Sequence, residues 1–147
     1  MLGTRLSWIG RAALGVVLFA APALCRAQEP TADSGRVEYL NSCAVCHGVD
    51  GKGNELAAAL LRISIPDLTA LQKNNGGTLP LSRLYNAIDG RDAVATRGPR
   101  AMPVWGRALG MRLGKLSGGA ATVQERESYA WRRILALIGY ISNIQSK

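Results

Sequence analysis

The 147-residue chain has a single histidine, three cysteines and one phenylalanine, and aromatic residues make up only 5% of it. One histidine excludes any site that needs two imidazoles from the same chain. Acids are scarce as well: ten Asp and Glu stand against 18 Lys and Arg, a formal charge of +8. No sustained apolar–polar alternation appears, so nothing signals a β-sheet. The uncharged stretch from Ala12 to Cys25 has 14 residues, short of the roughly 18 that a membrane-spanning helix requires.

What is present begins with a basic start (Arg5, Arg11), a short apolar centre and the small-residue exit "PALCRAQ". This is the layout of an export signal, with cleavage expected after Ala27 and Cys25 and Ala27 as the small residues before the cut. The chain then divides into a leader, 1–27, and one domain, 28–147. Cleavage removes three arginines and no acid, lowering the charge to +5, and leaves two cysteines, Cys43 and Cys46. The expected location is the periplasm, with no membrane span once the leader is cut and a membrane tether if it is retained. A domain of this size is short of large core residues and would gain from a sizeable apolar cofactor.

The domain reads as all-α, helices joined by glycine-rich loops. Asp33 or Ser34 can cap a first helix, "GRVEYLNSCAVC", which glycines 48, 51 and 53 break. "NELAAALL" suits a short helix from Asn54. Pro66 marks a turn and Asp67 caps a brief one, ended by "NNGG". In "LPLSRLYNAIDG" Thr78 can cap, Pro80 sits in the first turn and Gly90 closes; Leu81, Leu84, Tyr85 and Ile88 share one face. "VATRGPRAMPVWG" reads as loop, and so does the connection 106–122. Thr122 and Glu125 fit a capping box for the last helix, with Ala130, Ile134, Leu137, Ile138 and Ile141 as its buried stripe.

Both remaining cysteines and the only histidine lie in "SCAVCHG", residues 42–48. A thioredoxin-like site would place C-x-x-C at a helix start after a strand, and here a helix precedes it. A structural zinc site needs four ligands, and no second cluster exists. "GVDGKG" lacks the Ser or Thr of a phosphate loop, and "DGKGNE" lacks the acid spacing of a calcium loop. Haem attachment accounts for all five positions. Two thiols one helical turn apart can each add to a vinyl group, and the adjoining imidazole can bind iron.

With Gly35, Tyr39 and Cys43 at four-residue intervals, the sequence resembles the class I cytochrome c family. The likeness covers most of 33–145 and is strongest at 35–48, 65–68, 101–106 and 134–141. It implies a cytochrome c fold wrapped around one covalently bound haem c, in which the first helix crosses the last at "LIGYI", Leu137 to Ile141. It further implies Cys43 and Cys46 as attachment residues and His47 as an iron ligand. "RAMPVWG" resembles the family's distal-methionine loop, so Met102 is the expected sixth ligand; Met111 lacks that context. A thioether ligand raises the reduction potential, and two filled axial positions suit one-electron transfer. The resemblance also casts Pro66 as the residue whose carbonyl orients His47, and Leu68 as a haem-packing position. Trp105 is read as a haem or propionate contact, or equally as a core tryptophan. Leu84 and Ile88 are read as pocket walls.

Arg91, Arg97, Arg100, Arg107, Arg112 and Lys115 flank the Met102 loop, where they would steer the protein to acidic redox partners at the haem edge. Nucleic acid is not expected as a partner. The expected function is a non-enzymatic periplasmic one-electron carrier. The alternatives are a haem-bearing subunit of a periplasmic dehydrogenase or other oxidoreductase complex, and an open-site sensor with Met102 off the iron. The connection 106–122 is longer than in short family members, and its Gly and Ala content reads as a mobile loop.

Overall fold

The computed structural model describes residues 32–90 and 102–146, and every regular element among them is helical. The leader, the site of its cleavage, and Arg91, Arg97 and Arg100 lie outside the described residues. In chain order the helices are α1 (Ala32–Ser42), α2 (Ala44–His47), α3 (Glu55–Leu61), α4 (Leu81–Asp89), α5 (Trp105–Leu116) and α6 (Val123–Asn143). Two short 3-10 turns, Leu68–Ala70 and Lys73–Asn75, lie between α3 and α4. Among the described residues no helix is long and apolar enough to cross a membrane.

The centre of the fold is the crossing of α1 over α6. Gly35 makes it possible: a Cβ there would overlap the Ala136 carbonyl and come 3.1 Å from Tyr140 Cβ. The close approach is therefore at Ala136, one residue before the expected Leu137–Ile141 segment, and at Tyr140 within it, and Gly139 faces open space. One turn after Gly35, Tyr39 is fully buried and its ring sits 5.0 Å from that of Tyr140. Its hydroxyl donates to the Gly48 carbonyl at 2.6 Å, tying α1 to the loop after α2. Ile134, Leu137, Ile138 and Ile141 are buried on α6, as their helical spacing demands.

The capping box that opens α6 forms as expected. Thr122 Oγ1 accepts from the Glu125 N–H, and Glu125 accepts from the Thr122 N–H at 2.7 Å. The Thr122 N–H, and after it the Thr122 hydroxyl donating to the same oxygen at 2.8 Å, hold the Glu125 carboxyl below its ordinary pKa. Its help to the helix is thus present above the ordinary carboxylate pKa and lost as pH falls through the lowered one. Thr122→Ala should cost about 1 kcal/mol, read as a shift in denaturant midpoint with unchanged slope.

Three local expectations fail. Asp33 and Ser34 lie inside the first turn of α1, which already begins at Ala32. Thr78 does not cap α4; Pro80 occupies the N-cap without a side-chain bond, and Leu81 is 57% exposed. The third failure is larger, because the expected loop 106–122 holds all but the first residue of α5, a twelve-residue helix packed on α6. Gly106, Gly110 and Gly114 recur every four residues. A Cβ at Gly110 or Gly114 would lie 3.4 or 3.1 Å from Arg126 of α6. Gly110 and Gly114 flatten α5 against α6, Gly106 makes room for Asp89 at the end of α4, and Leu109 is buried completely in the core.

Candidate functional site

The 42–48 segment folds as one tight turn. α1 ends at Ser42, and the N–H groups of Cys46 and His47 both donate to the Cys43 carbonyl, at 3.1 and 2.9 Å. Each carbonyl from Cys43 to His47 has a partner. Gly48 donates to Ala44 at 2.9 Å, the Asn54 backbone to Cys46 at 3.0 Å, and Gly53 to His47 at 2.8 Å. Asn54 Nδ2 reaches the Val45 carbonyl at 3.2 Å while its Oδ1 caps α3. Asn54 therefore holds both the motif and the next helix, a role the sequence reading did not give it. Its value as an N-cap residue before "ELAAALL" was the available signal. Gly48, at φ +76°, takes the left-handed turn that releases the chain from the motif.

The turn containing Pro66 is pinned from two sides. The Leu68 N–H donates to the Gly51 carbonyl at 2.7 Å, and Gln145, just beyond α6, donates Nε2 to the Leu68 carbonyl at 2.7 Å. Asp67 caps the turn through the Thr69 N–H, as expected. Neither Gln145 nor Ser146, which bonds the Thr69 carbonyl, carried a signal in the sequence.

These segments enclose a cavity of about 300 Å³. Five of the expected site residues line it: Cys43, His47, Pro66, Leu68 and Met102. Leu84 and Ile88 wall it from α4, and Leu137 and Ile141 from α6. Cys46 and Trp105 are not among the lining residues. Cys46 is half-buried on the motif turn, and Trp105 packs against the hydrophobic core, which is the plainer of its two expected roles. The sequence reading missed three polar residues on the cavity wall, Asn74, Asn75 and Arg83.

The chemistry of the walls is specific. Burial is the main influence on His47 and favours the neutral imidazole, the form with a free lone pair. The Pro66 backbone pulls the other way, toward the protonated ring, but closes no hydrogen bond of good geometry with Nδ1. Nδ1 is buried without a partner, an unfavourable state for a ring nitrogen. Burial, followed by the charge of Glu38 and by Cys46, pushes the Cys43 pKa up to about 12, so that it stays a thiol at neutral pH. Among the described residues no group of three His, Cys, Asp or Glu side chains is arranged to hold a bare metal ion.

The residues do fit an iron porphyrin. An imidazole and a thioether border the same space, an attachment thiol stands beside the imidazole, and branched aliphatics supply the walls of an apolar ring site. Arg83, Asn74 and Asn75 supply cationic and polar contacts suited to the acidic edge groups of such a ring.

A family model described as "Cytochrome C oxidase, cbb3-type, subunit III" matches residues 30–112, more than half of the chain. The match takes in the motif turn, the Pro66 turn and Met102. No curated protein and no solved structure matches the chain. The chain belongs to this family of cytochrome c domains, and its cofactor is haem c, covalently bound and used for electron transfer.

Proposed function

We propose that the chain is an exported single-haem electron carrier that passes one electron at a time between periplasmic redox proteins. The observation that carries this reading is that His47 and Met102 line one apolar cavity with Cys43 on its wall. When bound, the haem supplies a reversible one-electron iron couple. Cys43 and Cys46 would hold the porphyrin through thioether bonds, and His47 and Met102 would ligate its iron. Pro66 would orient the His47 ring once its carbonyl accepts from the Nδ1 that is unpartnered in this structure, while Leu68, Leu84 and Ile88 would keep water from the ring. The basic leader and its small-residue exit support export, with cleavage after Ala27.

Partners are proposed to be acidic proteins drawn by the basic residues of α5, of which Arg107 and Lys115 are exposed. Arg112 no longer belongs in that group, because its guanidinium is engaged by Glu38. A second reading, a haem-bearing subunit within an oxidoreductase complex, gains support from the family description, which names an oxidase subunit. Size exclusion of native extract separates the two. A free carrier elutes near its own mass, and a subunit travels with a larger redox protein. Rapid carbon monoxide binding to the untreated ferrous protein would contradict both and favour an open-site sensor.

A further inference from the structure

Glu38 lies on α1, one turn before Ser42 and the attachment motif, and it is only 3% exposed. Its carboxylate is surrounded by donors from three helices. Arg112 of α5 places Nη1 2.8 and 3.0 Å from the two oxygens. Ser42 Oγ donates to Oε1 at 2.7 Å and itself receives Arg112 Nη2 at 3.4 Å. Arg133 of α6 holds Nε 3.9 Å from Oε2, steadied by a 3.2 Å bond from Nε to the Tyr129 hydroxyl.

An aliphatic contact could join α5 to α1 without the cost of desolvating a carboxylate and guanidinium. The cluster also stands next to the haem-bearing residues. Ser42, bonded to Glu38, is the residue before Cys43, and the Cys43 N–H donates to the carbonyl of Tyr39 beside Glu38 at 2.8 Å. The field of Glu38 reaches the Cys43 thiol, where it is the next influence after burial.

We propose that Glu38, Arg112 and Arg133 form a charge cluster that tunes the reduction potential of the haem, with α5 supplying the cation that offsets the buried carboxylate. The inference rests on the haem reading above. Ferric haem carries one more positive charge than ferrous haem. A bare carboxylate nearby favours the ferric form and lowers the potential; a guanidinium favours the ferrous form and raises it. These residues do not touch the iron, and they act through the electrostatic environment of the attachment edge. The helix that the sequence reading took for a mobile connection thereby acquires a part in setting the driving force for electron transfer.

The test is redox titration of the haem-loaded, full-length protein carrying Glu38→Gln, Arg112→Gln, Arg112→Lys or Arg133→Gln, each beside a thermal melt. Glu38→Gln should raise the potential and Arg112→Gln should lower it. Arg112→Lys keeps the charge but not the fork, so it should restore most of the potential without restoring the melting temperature. Arg133→Gln should give the sign of Arg112→Gln in smaller measure, and it carries the test if Arg112→Gln does not accumulate. A purely structural cluster predicts lower melting temperatures throughout with potentials unmoved or shifted in one direction, and either result would overturn the proposal. A colourless wild-type protein instead overturns the haem reading itself, and this proposal with it.

Discussion

Met102→Ala should lower the reduction potential by on the order of 0.1–0.2 V, within the roughly 0.8 V over which axial ligands move haem potentials. It should also convert a ferrous protein that ignores carbon monoxide into one that binds it rapidly. The thioether of Met102 faces the His47 cavity, and alanine removes the sulfur while leaving space beside the aliphatic wall. A soft sulfur donor favours ferrous iron, so its loss moves the couple toward the ferric form. Met111 is the internal control. It lies on α5, is 49% exposed and does not line the cavity, so Met111→Ala should change neither potential nor carbon monoxide binding. Equal effects from the two substitutions would remove Met102 from the iron. Redox titration and carbon monoxide difference spectra of the two variants give the answer.

Gly35→Val should prevent accumulation of folded protein, and Gly35→Ala should already lower the melting temperature sharply. A Cβ at this position meets the Ala136 carbonyl, a backbone atom that no rotamer change can move. Relief requires α1 to lift from α6 and to take with it Tyr39, whose ring stacks near Tyr140 and whose hydroxyl holds Gly48. Ordinary overpacking costs about 1–3 kcal/mol; separating the central helix pair should exceed that and consume much of the ~5–15 kcal/mol that holds a domain together. The control lies on α6, the other helix of the crossing. Gly139 is exposed, with nothing near its missing Cβ, so Gly139→Ala should stabilise by about 0.5–1 kcal/mol through helix propensity. Melting curves that move in opposite directions for the two glycines are the expected signature; a tolerated Gly35→Val would mean that the helices do not meet there.

The parts of this protein that could be read in advance are those whose logic is local. Cysteine, cysteine and histidine within one helical turn declare their chemistry through spacing alone, and the Thr122–Glu125 box and the α6 stripe do so as well. The likeness to a known family then placed Pro66 and Met102 beside His47, residues whose convergence no periodicity reveals. α5 was lost for a physical reason. Glycine lowers helix propensity and so reads as loop; the four-residue recurrence at 106, 110 and 114 means something only once Asp89 of α4 lies against the first and α6 against the other two. Arg112 was misread in the same way. A basic residue in a basic region looks like surface charge until the chain folds and brings it to Glu38, 74 positions earlier. Leu81 shows the opposite error: it fits the apolar period of α4, yet at the first position of the helix it stays exposed while Ile88 at the far end is buried.

Everything functional here depends on a porphyrin held by two sulfurs of this chain, and intact-mass measurement reaches that point most directly. Protein produced in a host with a working haem-attachment system should be heavier than the polypeptide by one haem and have no alkylatable thiol at Cys43 or Cys46; Cys43→Ser with Cys46→Ser should abolish the gain. A wild-type product at the bare polypeptide mass, with both thiols open to alkylation, would contradict the account.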